Sequence, residues 1–282
     1  MSKNKVLRNI FNVFNTILMV VICLSIIIPL LMVFFTSLSP DEVVVREGFI
    51  IFPKIITFSN YKKIFSSGYV GAFYNSLKVA ILATLFSMVM TLVLGYALAQ
   101  KDLIGRKFFL RFIITTMVLD AGIVPFYLVV RHLGLIDSYA SLIIPFAIST
   151  YNLILVKNYI SSLPESIIES ARLDGCGELG ILFRIVIPIS TPIIAAITLF
   201  YAVSHWNRYF EVVMFINDSR KYTLQVLLRQ LVFQSESGIS SDPAYNNFKM
   251  AVMIMTMFPV LVLYPFIQRY FISGIMLGSV KG

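Results

Sequence analysis

The sequence predicts an all-α protein that crosses a membrane several times, and its composition and hydropathy carry that prediction. Of its 282 residues, 58% are hydrophobic and 13% are charged, and the mean hydropathy is +0.86. Soluble domains are typically ~45–50% apolar and ~25% charged, so this chain has too few charges to cover a water-facing surface. The composition therefore excludes an ordinary soluble enzyme, a disordered chain and a secreted disulfide scaffold.

The net charge of +9 does not indicate a nucleic-acid partner. Basic residues that flank bilayer spans explain it more simply, because no soluble domain carries a basic stripe. The two cysteines, Cys23 and Cys176, lie far apart in the sequence, and we expect two free thiols. No Cys/His cluster with the spacing of a metal site is present in the sequence, so no metal is predicted.

Six apolar segments are predicted to be membrane-spanning helices, since a span needs about 20 mostly apolar residues. The first, 9–40, follows Lys3, Lys5 and Arg8, and it far exceeds the apolar core of a signal peptide. We therefore interpret it as an uncleaved helix. The other five cover 79–100, 108–130, 138–156, 185–207 and 250–268.

Basic residues set the predicted orientation. The N-terminal tail is basic, and the 101–111 connection carries Lys101, Arg106, Lys107 and Arg111 against one aspartate. Basic flanks favour the cytoplasmic side, so both termini of this multi-pass protein are predicted to be cytoplasmic. The segments 41–74 and 211–249 then form external loops, which we interpret as docking or gating surfaces.

The loop between the fourth and fifth spans, 157–187, is about thirty residues long, far more than a helical hairpin needs. Ser162 and Glu165 have capping-box spacing with Pro164 in the first turn, and Gly175 is placed as a C-terminal cap. A second short helix is predicted over 178–187, before Pro188. Apolar residues recur on one face of the first helix, at Leu163, Ile167, Ile168 and Ala171.

Acidic residues dominate the polar side of this loop, at Glu165, Glu169, Asp174 and Glu178. An amphipathic helix that rests on an anionic leaflet would carry an excess of Lys and Arg instead. The loop therefore predicts a protein partner in the cytosol.

The same loop resembles the coupling signature of binding-protein-dependent ABC importer permeases. That signature is usually Glu-Ala-Ala, three residues, Gly, nine residues, and Ile-x-Leu-Pro. Here Ser170 replaces the second residue and Ile187 replaces the Leu, while the spacing is matched at every fixed position. The resemblance assigns ATPase coupling to Glu169, Ser170, Ala171, Arg172, Leu173, Asp174, Gly175, Ile185 and Pro188.

Further motifs are similar to the carbohydrate-importing subfamily, and they extend the resemblance over most of the chain. The C-terminal segment 264–282 looks like a branch that carries polysaccharide fragments, such as pectin- or alginate-derived oligosaccharides and glycans. The family core would cover 72–268, with 1–71 as an N-terminal helix and external loop and 269–282 as a cytoplasmic tail. The motifs are Asn75-Ser76, Ile123-Val124-Pro125 with Leu133-Gly134-Leu135, and Trp206-Asn207.

The resemblance implies one permease of an assembly with a second, homologous but different permease, two cytoplasmic ATPases and an extracytoplasmic solute-binding protein. The chain has no glycine followed by Lys-Ser or Lys-Thr, so it lacks a phosphate-binding loop of its own. We therefore expect a transport subunit and not an enzyme, with no cofactor in this chain and with ATP and magnesium bound by the partner ATPase. Its other contact would be membrane lipid.

Candidate substrate-path residues are Asp120, Tyr127, Tyr151, His205, Trp206 and Asn207. A carboxylate in mid-bilayer costs about 2.5–3.5 kcal/mol, so Asp120 should face protein or water. There it would bond to sugar hydroxyls or an amino sugar, or make a structural contact such as one to Arg111. Trp206 would stack on a sugar face or anchor the helix at the membrane interface, and His205 and Asn207 would bond to hydroxyls.

Three other functions fit the sequence less well. An ion-coupled secondary transporter usually needs several intramembrane acids, and Asp120 is a single one. A membrane-embedded enzyme is disfavoured because no HExxH motif or pair of intramembrane aspartates is present in the sequence. An ABC importer permease for a non-sugar solute would share the coupling loop, so the carbohydrate motifs alone decide against it.

Overall fold

The computed structural model describes residues 3–48, 50–119, 121–236 and 243–278, and over these ranges it is helical without a strand. It also contains a π-helical segment, Leu182–Val186, and a short 3-10 helix, Ser219–Lys221. The helices are α1 (Lys3–Ser37), α2 (Asp41–Glu47), α3 (Ser59–Phe65), α4 (Tyr69–Ala99), α5 (Arg106–Val118), α6 (Ile123–His132), α7 (Ala140–Ile143), α8 (Thr150–Ser161), α9 (Glu165–Leu173), α10 (Glu178–Ile181), α11 (Ile187–Ile189), α12 (Thr191–Trp206), α13 (Phe210–Phe215), α14 (Leu224–Glu236) and α15 (Pro243–Gly278).

Residue contacts divide the chain into two compact units. The first unit comprises Met1–Val70 and Leu228–Phe258, and the second comprises Gly71–Leu227 and Pro259–Gly282. In the first unit, the Asp41 carboxylate accepts hydrogen bonds from Lys63 Nζ at 2.9 Å and from Asn247 Nδ2 at 2.9 Å. Partial burial opposes ionisation of Asp41, but these hydrogen bonds outweigh it and lower its pKa. The carboxylate therefore joins segments that are distant in sequence.

Three helical stretches of the described residues are long and apolar enough to cross a membrane: Arg8–Ser37, Tyr69–Ala99 and Tyr245–Pro265. A fourth is reached if Glu178–Ile189 and Thr191–Trp206, which meet at an angle of 88°, form one broken span. The first stretch has exposed apolar side chains from Ile10 to Phe34. The predicted first, second and sixth spans correspond to these three long helices.

The predicted third, fourth and fifth spans are wrong as continuous helices. The fifth, 185–207, bends by 88° between α11 and α12. The third is interrupted between α5 and α6, where Gly122 takes a positive φ of 81° that L-residues rarely adopt. The fourth is interrupted between α7 and α8, where Pro145 cannot donate a helical hydrogen bond. The last helix runs beyond the predicted end at 268 to Gly278, so most of the segment predicted as a tail is helical.

Two apolar clusters form the core of the second unit. One lies around α9 to α12 and connects them with α4 and α8, and the other packs α13 against the segments around α4, α6, α7 and α14. The first cluster contains Met88, Tyr96, Val156, Ile160, Ala171, Ile181, Leu182, Val186, Ile197 and Tyr201. The second contains Val79, Val130, Leu142, Val212, Phe215, Ile216 and Val226.

Candidate coupling surface and transport cavity

Helix α9 begins at Glu165 directly after Pro164, but the predicted capping box does not form. The Ser162 hydroxyl instead donates to the Tyr159 carbonyl at 2.7 Å, within the last turn of α8, and no side chain caps the start of α9. A serine hydroxyl readily bonds a carbonyl three residues earlier when its own backbone is helical. The Glu165 carboxylate is bound by Lys101 Nζ at 2.6 Å.

The predicted C-terminal cap at Gly175 is confirmed. Gly175 has a φ of 81°, and its amide donates to the Arg172 carbonyl at 3.0 Å. The next amide, of Cys176, donates to the Ala171 carbonyl at 3.0 Å. These two bonds form a Schellman motif, which stops the helix sharply and satisfies its terminal carbonyls.

The predicted second helix is present as α10, the π-helical segment and α11. The π-helical segment ends at Val186, two residues before Pro188, which lies in α11. In an α-helix the proline ring would clash with the carbonyl four residues earlier, and the wider π turn relieves that clash. The chain then bends by 88° at Ser190 before α12 begins.

A hydrogen-bonded network on Glu178 fixes this loop to the C-terminal end of α4. The Glu178 carboxylate accepts from Tyr96 OH at 2.5 Å and from Arg172 Nε at 2.9 Å, and Arg172 also donates to Gln100 Oε1 at 2.9 Å. The bonds from Tyr96 and then Arg172 lower the pKa of Glu178, so it remains ionised at neutral pH. The loop is therefore held in one position relative to α4.

Helix α9 presents opposite chemistry on its two faces. Ala171 is buried in the first apolar cluster, whereas Glu169, Ser170 and Asp174 are exposed. In the part of the chain that the structure describes, the Glu169 side chain makes no hydrogen bond or ion pair. Large apolar side chains are also exposed in and after the helix, at Leu173 (88%), Leu179 (66%) and Phe183 (55%). Exposed carboxylates beside exposed apolar groups form a surface suited to a protein partner.

A cavity of about 600 Å³ in the second unit brings together two of the predicted substrate-path residues, Tyr151 and His205. His205 Nε2 lies 3.1 Å from the Ser87 hydroxyl, and its ring stacks on Tyr201 at 5.8 Å between centroids. The cavity is lined by Pro145, Phe146, Ile148, Ser149, Tyr151, Asn152, Phe200, Tyr201, Ser204, His205, Arg208 and Glu211.

The other predicted substrate-path residues lie elsewhere. Trp206 is buried, contacts the Phe73 ring edge-to-face and lines a separate apolar cavity of about 220 Å³. Tyr127 stacks on Phe215, in the second apolar cluster. Asn207 Oδ1 accepts a bond from a glutamine side chain at 3.1 Å. Asp120 lies outside the described residues.

Arg208 is the cavity residue that the sequence reasoning missed. It stands directly after Trp206-Asn207, at the end of an apolar stretch that contains no other Lys or Arg from Thr191 onward. Basic residues that flank a membrane span are common, so the sequence carried no signal that distinguished Arg208 from them.

The Asn75-Ser76 motif holds the connection before α14. Asn75 Nδ2 donates to the Arg220 carbonyl at 2.8 Å, and the Ser76 hydroxyl accepts from the Leu224 amide at 2.7 Å. The motif therefore has a structural role in this chain.

Asp137 binds the first residues of the connection between α13 and α14. It adopts a φ of 57° and accepts bonds from Lys221 Nζ at 2.8 Å and from the Asn217 and Asp218 amides. These bonds, led by the one from Lys221, lower the pKa of Asp137 to about 2.

Residues 91–276, which include the whole 157–187 loop, match the family described as "binding-protein-dependent transport system inner membrane component". The chain belongs to this family and is a permease subunit of such a transport system. It is 42% identical to the Bacillus subtilis polygalacturonan/rhamnogalacturonan transport system permease protein YtcP over 268 residues, covering 91% of this chain and 93% of that protein. It is 36% identical to B. subtilis protein LplC over 281 residues, covering 97% and 95%.

A solved structure agrees with this assignment. The chain matches a crystal structure of a bacterial ABC transporter involved in the import of the acidic polysaccharide alginate, with a TM-score of 0.86 and 30% identity. The match covers 96% of this chain and 99% of that chain. The ABC permease fold thus extends over nearly the whole protein.

Proposed function

We propose that this chain is the permease of an ATP-driven importer of oligosaccharides, that it forms half of the translocation pore, and that the 162–188 loop couples it to a cytoplasmic ATPase. The arrangement of that loop is the observation that carries the proposal. One face of α9 is fixed to the core, and the other presents Glu169 and exposed apolar side chains. Such a loop can transmit a force applied by a partner.

The substrate class is supported by the relatives. One is named for transport of polygalacturonan and rhamnogalacturonan, and others for arabinooligosaccharides. Since these relatives align along nearly the whole chain, we infer an oligosaccharide substrate here as well. Family membership argues against an ion-coupled carrier.

The proposed assembly contains this chain, a second and different homologous permease, two ATPases and an extracytoplasmic solute-binding protein. ATP and magnesium belong to the ATPases. In this proposal the chain crosses the bacterial cytoplasmic membrane six times with both termini in the cytoplasm. The interrupted helices α5–α6 and α7–α8 each form one crossing, since irregular backbone is tolerated where it is buried in protein or lines a cavity.

Coupling requires that the ATPase bind the loop with different free energies in the inward- and outward-facing states. Closure of the ATPase dimer would then move α9 and, through the Glu178 network, the end of α4. The π-helical segment and the 88° bend would carry the same displacement into α12. A loop held by a Schellman cap and a buried alanine transmits such a displacement without deforming.

The test compares two charge reversals of equal size. Glu169→Lys changes the exposed acid of α9, and Glu42→Lys makes the same change at an exposed position of α2. Each variant is co-expressed with the partner permease and ATPase and purified through a tag on this chain. ATP hydrolysis is then measured with and without binding protein and oligosaccharide.

We expect at least a tenfold loss of stimulated hydrolysis and of co-purifying ATPase in Glu169→Lys. Glu42→Lys, in the predicted external segment 41–74, should keep as much co-purifying ATPase as wild type. The proposal is refuted if wild type retains no ATPase, or if both variants are stimulated as strongly as wild type. The oligosaccharide that stimulates hydrolysis identifies the substrate.

A further inference from the structure

Arg208 places a positive charge in the wall of the cavity at the end of α12. Its side chain is only 7% exposed. Its NH1 group donates to the Leu142 carbonyl at 2.5 Å, and its guanidinium lies over the Phe146 ring, 3.9 Å from the centroid. The backbone carbonyl and the ring hold the guanidinium in place without neutralising its charge.

The charge of Arg208 is incompletely compensated. The carboxylate of its acidic neighbour, Glu211, lies 4.0 Å from Arg208 Nε, a distance too long for a hydrogen bond. The Glu211 side chain is 29% exposed. A guanidinium has five N–H donors, and in the described residues only one of them makes a hydrogen bond. Buried charges are normally paired and hydrogen-bonded. Arg208 therefore keeps N–H donors that can bind an anion in the cavity.

The surroundings of Arg208 suit a sugar ring. A cavity of about 600 Å³ falls within the usual range for small-molecule sites, about 300–1,000 Å³. Tyr151 is 54% exposed and lines this cavity, so its ring offers a face for stacking. Ser204 is exposed in the same wall and offers a hydroxyl.

We propose that Arg208 forms a subsite for the carboxylate of a uronate residue, which makes this chain itself selective for acidic oligosaccharides. A guanidinium binds a carboxylate through two parallel hydrogen bonds, a geometry that a neutral ester cannot match. This inference rests on the proposed function and adds a residue and a charge to it. It also assigns part of the selectivity to the permease, and not to the binding protein alone.

Glu211 modulates this subsite. Its carboxylate competes with the ligand for Arg208, and its long separation from Nε leaves room for a closer anion. Glu211→Gln removes the competitor, so this variant should bind an acidic ligand severalfold more tightly.

The test uses two probes that share one backbone: a trimer of galacturonate and its fully methyl-esterified form, which is neutral. Binding of each to the purified complex without binding protein is measured by equilibrium dialysis. Ser204→Asp introduces a negative charge into the cavity, and Ser204→Asn has nearly the same size without the charge. Arg208→Gln and Arg208→Lys are measured alongside, with assembly checked by size-exclusion chromatography.

Wild type should bind the acid at least tenfold more tightly than the ester. Ser204→Asp should lose about tenfold in acid affinity relative to Ser204→Asn, with similar ester affinity in the two. Arg208→Gln should lose the preference and Arg208→Lys should keep part of it. If Arg208→Gln does not assemble, the Ser204 pair decides alone.

Equal binding of acid and ester by wild type, no binding of either, or the same acid-to-ester ratio in both Ser204 variants would overturn the subsite. ATP-driven uptake into proteoliposomes, measured with binding protein, separates this failure from a failure of the proposed function. Uptake without an acid preference refutes the subsite alone, whereas absence of any oligosaccharide uptake refutes the importer itself.

Discussion

Gly95 marks a close approach of α4 to α8, beside the cluster that supports the coupling loop. An ideal Cβ at this position would lie 2.9 Å from Val156 Cγ1 and 3.5 Å from the Lys157 amide nitrogen. Carbon atoms prefer separations of about 3.5–4.0 Å, and Val156 is fully buried and cannot move aside freely. Gly95→Ala must therefore push α4 and α8 apart by several tenths of an ångström.

Two opposing effects set the magnitude. Overpacking of a dense core costs about 1–3 kcal/mol, while Gly to Ala within a helix returns about 0.5–1 kcal/mol. The net loss is about 1 kcal/mol, which corresponds to a fall in Tm of about 2–4 °C in a chain of this size. Gly71→Ala is the matched control, since Gly71 lies in α4 with nothing within 4 Å of an added Cβ. It should keep the wild-type Tm or raise it slightly.

Thermal unfolding of the purified complex, followed by loss of the size-exclusion peak, measures both variants. Stimulated ATP hydrolysis should fall further in Gly95→Ala than in Gly71→Ala. The reason is that the displaced helices α4 and α8 contribute to the first apolar cluster, in which Ala171 of the proposed coupling loop is buried. A Gly95→Ala complex as stable as Gly71→Ala would refute the reasoning, since the close approach of α4 to α8 would then impose no constraint.

Three further predictions concern the coupling loop and the Asp137 contacts. Gly175→Ala should destabilise the loop by about 1–2 kcal/mol because of its left-handed φ. Gly180→Ala, within α10 and with nothing within 4 Å of an added Cβ, should not, and limited proteolysis of the complex compares the two variants. Tyr96→Phe keeps the ring but removes the hydrogen bond to Glu178, which should lower the ratio of stimulated to basal ATPase, and an unchanged ratio would contradict the coupling route through α4. The pKa of Asp137 is lowered to about 2, so its carboxylate stabilises the folded chain above about pH 4 and loses this effect as the pH falls towards 2. Asp137→Asn should therefore flatten the curve of Tm against pH over that window.

Local patterns were enough to predict α9 and its end. Apolar residues at helical spacing and a glycine at the end of the run define a helix that stops in a left-handed turn, and Gly175 adopts that conformation. The same kind of reasoning failed at Ser162, because two neighbouring helix ends compete for one hydroxyl. The hydroxyl bonds to the Tyr159 carbonyl in α8, and sequence spacing alone does not reveal this outcome.

The interruptions in the third and fourth predicted spans illustrate a different difficulty. Hydropathy reports whether a segment avoids water, but it does not report where the backbone breaks. The break before α6 depends on the positive φ of Gly122, and the break before α8 follows Pro145. Both residues were visible in the sequence, yet glycine and proline also occur within continuous membrane helices, as Pro259 does in α15.

Composition and the spacing of a short motif are local properties, so they were enough to predict a helical membrane protein whose 157–187 loop resembles a coupling signature. Only the tertiary structure placed Glu178 between Tyr96 and Arg172, and Arg208 beside Phe146 and the Leu142 carbonyl. Those contacts join residues up to 82 positions apart. Which distant side chains meet depends on how the helices pack, and the packing is a property of the whole fold.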